Sequence, residues 1–310
     1  HYNNLTGNSG YGLNVASAVT ENVDAKYNWW GDSSGPSGEG SGSGDAVSAR
    51  ADYDPWLAQM PDLVVDPCGN GDYTSIQDAI DNAPGTTILV APGTYDETID
   101  IDSKNNLTIV GADKYTSIIK PTSTLSWAIP GYPQYDARMT AVRIVDSTNI
   151  ELKNLTFDFD ISKGSGSYPG VFGIFGWDSS VDIDNNILKN VSVPDASGGY
   201  YEMISYFRAP GYSDTSRINV TVQNNTLIET GRVGIVTHDY INATVSNNII
   251  YKTTDDFGYG IELGSQSTGV ISNNKIYGFD TPAASDGSES AGIYIENSFT
   301  GGSPSISKTV

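Results

Sequence analysis

Apolar and polar residues take turns through Val181-Asp-Ile-Asp184, Val220-Thr-Val-Gln223, Ala243-Thr-Val-Ser246 and Gly269-Val-Ile-Ser272. Each run meets a pair of asparagines and then a second, shorter apolar run. Alternation of period two predicts a strand with one face buried. The asparagine pairs recur after 39, 23 and 26 residues, and one coil of a parallel β-helix takes roughly 20–25 residues. The two shorter spacings therefore predict plain coils and the longest a coil with an inserted loop. Asparagine suits the corner because it tolerates the left-handed backbone of a sharp turn, and stacked side-chain amides form a ladder from coil to coil. On this register Ile183, Val222, Val245 and Ile271 form one inward column.

A second register supports the same fold. Phe172-Gly-Ile-Phe175, Val233-Gly-Ile-Val236, Tyr259-Gly-Ile-Glu262 and Ala291-Gly-Ile-Tyr294 share a Gly-Ile step, with connections of varying length between the asparagines and the glycine. Hairpins of a β-sandwich do not keep two separate registers over successive turns. The all-β part runs over residues 63–310. Leu63-Val-Val65 starts it, Thr74-Ser-Ile-Gln77 has the form of a capping box, and Ile76, Ala79 and Ile80 fall on one face of a helix spanning about 74–82. Strands Thr87–Ala91, Thr98–Ile101 and Leu107–Gly111 follow, the first two around a Pro92–Tyr95 turn, and the helix is expected to cover the open end of the coils. Ahead of this, residues 1–31 resemble the terminal coil of another β-helix. Residues 32–62 then comprise a Gly/Ser-rich loop or linker, Asp32–Gly44, and a closing segment, Tyr53–Leu57 with Met60-Pro61.

The chain carries 37 acidic and 16 basic residues, net charge −21 and pI near 4.1, which repels nucleic acid and anionic membranes. No run approaches the length of a membrane span. Cys68 has no partner for an intrachain disulfide, and two histidines with one cysteine argue against zinc. No other cofactor is implied, but oxygen-ligand ions remain open. Asp100/Asp102, Asp158/Asp160 and Asp182/Asp184 each put two carboxylates on one strand face, so Asp158, Asp160, Asp182 and Asp184 are candidate Ca2+ ligands, the alternative being solvated surface charge. Seven N-x-S/T triplets, at Asn4, Asn106, Asn154, Asn190, Asn219, Asn224 and Asn242, point to a glycosylated, extracellular protein. The alternative is that an Asn- and Thr-rich coil makes such triplets by composition. The chain opens directly in repeat sequence, as expected of a mature product or a piece of something longer.

The best chemical cluster is Arg208, His238, Asp239, Asp255, Asp256 and Glu262. Stacking the Gly-Ile steps puts Val236, Glu262 and Tyr294 in one column with His238 two residues further on, so an imidazole and a carboxylate meet across neighbouring coils about 4.8 Å apart and are able to do acid–base work. The competing reading is a solvated outer face. Trp127, Tyr132 and Tyr135 in one insertion, and Tyr201 and Tyr206 in another, are candidates for stacking on sugar rings or on a protein neighbour.

The run from Thr74 through Ile76-Gln-Asp-Ala-Ile80 to Val90-Ala-Pro-Gly-Thr-Tyr95 resembles the cap and first coil of the right-handed parallel β-helix proteins of the pectate lyase and pectin methylesterase superfamily. Tyr27-Asn-Trp-Trp-Gly31, Ser34-Gly-Pro36 and Tyr53-Asp-Pro-Trp56 resemble the closing segment of β-helix repeats in archaeal, especially methanogen, surface proteins. The resemblance implies a right-handed solenoid and an extracellular structural or adhesive role in a surface layer, sheath or filament. The alternative it implies is a polysaccharide lyase or glycoside hydrolase using the Arg208, His238 and Glu262 region. The signatures of the family's glycosidases and methylesterases are missing, which favours the first. A closing segment that precedes an opening one has two readings: a fragment of a tandem array, or head-to-tail assembly of copies with residues 1–31 packed on a neighbour's C-terminal coil.

Overall fold

A computed structural model describes residues 1–82, 86–121, 125–127, 138–159, 171–191, 201–208, 217–253, 257–264, 266–280, 289–296 and 308–309, with the backbone alone at 125–127, 138–139 and 308–309. The chain forms two compact units, His1–Val64 and Val65–Val310.

The first unit joins what the sequence divides. Tyr11–Leu13 and Pro36–Gly38 both pair in parallel with Gly44–Val47, and Val23–Asp24 pairs with Ala51–Asp52. Ala25, Trp30 and Val47 form its core, with Leu5, Leu13 and Trp56 against them. The Gly/Ser-rich run is mostly turn and bend but contributes the short strand Pro36–Gly38 and the start of Gly44–Val47, and several of its glycines are there for contact. A Cβ on Gly44 would lie 2.5 Å from the Trp30 carbonyl oxygen, and one on Gly42 2.2 Å from that of Gly35. Only glycine permits such backbone approach. Residues 1–31 therefore have a packing partner within the chain.

The second unit is a parallel β-helix of three sheets. Among the described residues, sheet A holds nine strands, including Thr87–Val90, Thr148–Lys153, Val181–Asp184, Ile218–Gln223, Ile241–Ser246 and Thr268–Ser272, and sheet B holds seven short strands, from Gly93–Tyr95 to Lys275–Tyr277. Sheet C runs through Arg138–Val145, Val171–Trp177, Tyr201–Phe207, Val233–Thr237, Tyr259–Leu263 and Ala291–Ile295. Its first strand pairs with Ile99–Asp102 on one side and, antiparallel, with Leu125–Trp127. The Pro92–Tyr95 segment read as a turn contributes the first strand of sheet B.

Both registers hold. Ile183, Val222, Val245 and Ile271 are cross-strand neighbours and no more than 2 % exposed. Ile174, Ile204, Ile235 and Ile261 stack likewise in sheet C. The two asparagines of each pair divide the labour. The first takes the left-handed backbone, φ between 55° and 59° at Asn185, Asn224, Asn247 and Asn273. The second turns inward: Asn225 Oδ1 accepts the Asn186 N–H at 2.8 Å, and Asn248 Oδ1 accepts that of Asn225 at 3.0 Å. Their amide nitrogens donate back to Leu152, Ile183 and Val222 carbonyls at 2.8 Å. Every turn thereby satisfies buried backbone groups that a corner would otherwise strand.

The helix is Ile76–Asn82, with Ile76, Ala79 and Ile80 buried as expected. Its cap is one residue later than the Thr74 reading. Ser75 Oγ accepts the Asp78 N–H at 3.2 Å, and Glu97 accepts from the Ile76 and Gln77 N–H groups at 2.9 and 3.0 Å.

Candidate functional site

The site grows out of the sheet C register. Thr237, Leu263 and Ile295 are paired, so the next residues, His238, Gly264 and Glu296, occupy one position in three successive coils. Backbone bonds hold each there: His238 N–H to Tyr206 O, Gly264 N–H to Thr237 O, Glu296 N–H to Leu263 O, all 2.9–3.0 Å. Gly264 makes the meeting possible. A Cβ there would lie 2.1 Å from His238 Cε1, so any side chain would displace the ring. Val236 pairs with Glu262, and Glu262 Oε1 lies 3.1 Å from His238 Nε2, as the register implied. Glu296 Oε1 lies 3.9 Å from Nδ1.

Two of the three side chains are buried and Glu262 is partly exposed. His238 is 7 % exposed and Glu296 8 %, and Phe207 stacks on the imidazole at 5.4 Å between centroids. Just after it, Asp239 and Tyr240 both have left-handed backbone, φ 61° and 57°. Burial alone lowers the His238 pKa, but the hydrogen bond and charge of Glu262, with Glu296 and Asp239, outweigh it and the net shift is upward. Burial pushes Asp239 up to about 6, the His238 charge opposing and Glu296 adding.

The remaining sequence candidates fall elsewhere. Arg208 is engaged by Asp178 one coil earlier, 3.3 Å away. Asp255, Asp256, Tyr132, Tyr135, Asp160 and the Trp127 side chain lie outside the described residues. Tyr201 and Tyr206 are corrected: they belong to a sheet C strand, 7 % and 1 % exposed, and offer no free ring face to a sugar. Asp158 is met by Lys189 at 3.2 Å and by Asn190 Nδ2 at 2.6 Å, and Asp184 accepts from Asn224 at 2.7 Å. Asp100 takes a two-pronged contact from Arg143, 2.7 Å on each arm. These surface carboxylates thus have donors within the protein.

Two features escaped the sequence reading. Glu296 stands two residues past Tyr294, the same offset as His238 from Val236, so the Gly-Ile register contained it. The other is a surface cavity of about 430 Å3 on the outer face of sheet A, lined by Asn106, Asn149, Asn219, Thr108, Glu151 and Asp182 among others. Glu151 and Asp182 are cross-strand neighbours there. Asp182 Oδ1 is buried without a hydrogen-bond partner, and burial, then Asp184 and Glu151, raise its pKa against the pull of Lys153. The sequons also fall into place. Asn106, Asn154, Asn190 and Asn224 have left-handed backbone, while Asn242 Nδ2 donates to Asn219 Oδ1 at 2.9 Å in a second, exposed ladder.

The chain belongs to the family of right-handed beta helix regions, whose model matches residues 135–305, more than half of the chain. No curated protein matches it in sequence. Among solved structures it is similar to pectin methylesterases from Erwinia chrysanthemi (13 % identity, 81 % of this chain and 94 % of that one, TM-score 0.42) and from carrot (15 %, 81 % and 88 %, 0.44). A rice weevil pectin methylesterase gives 17 % identity over 76 % of this chain and 75 % of that one, TM-score 0.44. Likeness at this level extends to no residue role or activity.

Proposed function

We propose that the protein is an extracellular structural or adhesive β-helix that contacts polysaccharide without cleaving it. The observation that carries this reading is the low exposure of the His238–Glu262 pair the sequence offered: the imidazole is 7 % exposed and the Glu262 side chain 13 %, so the pair ties neighbouring coils together and presents little surface to a substrate. The sheet A cavity, lined by amides, hydroxyl and carboxylates, has the polarity to hydrogen-bond a polyhydroxylated chain. A second reading, polysaccharide hydrolase or lyase, has its own support in Glu151 and Asp182, cross-strand neighbours in that cavity, since a carboxyl whose pKa burial raises, set beside a second carboxyl, is an acid–base arrangement.

The two separate in one experiment. Purified protein is incubated with neutral and anionic polysaccharides, and both retention on the polymer and new reducing or unsaturated ends are measured. The adhesive reading expects retention that weakens in N149A and N219A, with no new ends. New ends that disappear in both D182N and E151Q would replace it with the enzymatic reading.

A further inference from the structure

We propose that His238, Glu262 and Glu296 bind a single divalent transition-metal ion of the zinc class, clamping three successive coils. One potential ligand atom from each residue lies within 4.8 Å of the other two. Zinc bonds of about 2.0–2.2 Å in a tetrahedron place ligand atoms roughly 3.3 Å apart. His238 Nε2 and Glu262 Oε1 already stand at 3.1 Å, Glu296 Oε1 lies 3.9 Å from Nδ1, and no pair of the chosen ligand atoms exceeds the tetrahedral spacing by more than about 1.5 Å.

The chemistry of the three groups favours such an ion. Two carboxyl groups beside one imidazole supply the mixed oxygen and nitrogen donors that a divalent ion of this class takes. The ring also sets the class: imidazole suits zinc and its neighbours, whereas calcium takes oxygen ligands throughout. Counting only histidine and cysteine argued against zinc because it left the carboxylates out.

The surroundings have the features of a built site. His238 directly follows one strand and Glu262 lies within the next, Gly264 leaves room for the His238 ring, and Phe207 stacks on that ring, the orienting work that outer-shell groups perform around metals. The Glu262 side chain, 13 % exposed against 6 % for Glu296, marks the entry path. This inference does not depend on whether the protein cleaves polysaccharide.

The test uses the full chain, stripped with chelator, in a H1A background because His1 and Asp24 form a second, exposed pair 3.0 Å apart. Zinc chloride is titrated by calorimetry and by thermal melting, with calcium chloride as the parallel arm, and Co2+ is added to read the visible ligand-field spectrum. One equivalent of zinc should bind, raising Tm with free zinc concentration, and H238N and E296Q should each weaken affinity at least about tenfold. The Co2+ band should be lost in H238N, and calcium should give no comparable shift. Circular dichroism of the metal-free variants establishes folding, and E262Q, at the most exposed ligand, replaces either variant that fails to fold. Absence of saturable one-to-one binding, binding unchanged in the folded variants, or an equal response to calcium would each overturn the proposal.

Discussion

Asn248→Ala is the sharpest probe of what holds the coils in register. Asn248 is fully buried, and its Oδ1 accepts from the Asn225 backbone N–H at 3.0 Å and from Asn225 Nδ2 at 3.1 Å. Its own Nδ2 serves Val222 O and Asn274 Oδ1 at 2.8 and 2.9 Å. Alanine leaves two donors of Asn225 without an acceptor in a dry corner, and each such buried group costs about 1–3 kcal/mol, or about 2–6 kcal/mol together. That is a large share of the roughly 5–15 kcal/mol that keeps a typical domain folded. The neighbouring Asn247, exposed with φ 57°, is the control. Asn247→Gly should change stability by a few tenths of a kcal/mol, and Asn247→Ala should cost about 1–2 kcal/mol through its left-handed backbone. Urea unfolding gives the totals, and native-state hydrogen exchange over residues 218–251 should show lost protection in the two coils around the missing amide. Asn225→Ala and Asn248→Ala should also be strongly non-additive, because they share bonds. If N248A costs no more than N247G, or the two ladder variants simply add, the ladder is an ornament of the turn and the reasoning fails.

Val245→Asp should unfold the coils around Val222 and Ile271, at a cost of about 4 kcal/mol or more for an uncompensated buried charge, while Thr244→Asp on the exposed side should stay within about 0.5 kcal/mol; far-ultraviolet circular dichroism melts compare them. Asp182 has a folded pKa above its ordinary 3.8, so the folded state holds the proton longer and stability falls as pH rises from about 4 through the raised value. Asp182→Asn should accordingly raise Tm at pH 7 and change little at pH 3, and a lower Tm at pH 7 would mean that the carboxylate has a partner. Expressed in a host that glycosylates, the protein should carry no glycan at Asn154, whose amide nitrogen donates to Gly111 O at 2.6 Å; glycopeptide mass spectrometry checks this against the exposed sequons.

The coil architecture was legible because it repeats a demand few residues meet. A corner needs a left-handed residue and then an inward amide, and Asn-Asn supplies both at four successive turns. The His238–Glu262 contact followed from the same register. In the first unit the device is present but disguised. Tyr2 and Tyr27 take the left-handed backbone, φ 60° and 54°, and Asn28 Oδ1 accepts from Asn3 N–H at 2.9 Å, so the repeat is Asn3 to Asn28 and not the Asn3-Asn4 pair. Tyrosine in that conformation is not something a pattern suggests. The Asp32–Gly44 run hid for a related reason: glycines chosen for backbone contact look the same on paper as glycines chosen for flexibility. Tyr201–Phe207 was missed as a strand because it lacks the Gly-Ile step and carries the aromatic density of a binding loop, although Ile204 keeps the column.

The direction of the amide ladder sets the unit by which such a chain can lengthen or shorten. Each inward asparagine serves the backbone of the preceding coil and lends its nitrogen to the asparagine of the next, so every turn is a link with one socket behind and one ahead. Removing the 23 residues from Asn225 to Asn247 would bring Asn248 into the place of Asn225 and close the chain of amides over the gap. Removing half as many would strand a donor on one side and an acceptor on the other. Duplications and deletions in genes of this kind should accordingly come as whole turns, with partial insertions confined to the connections on either side of sheet C.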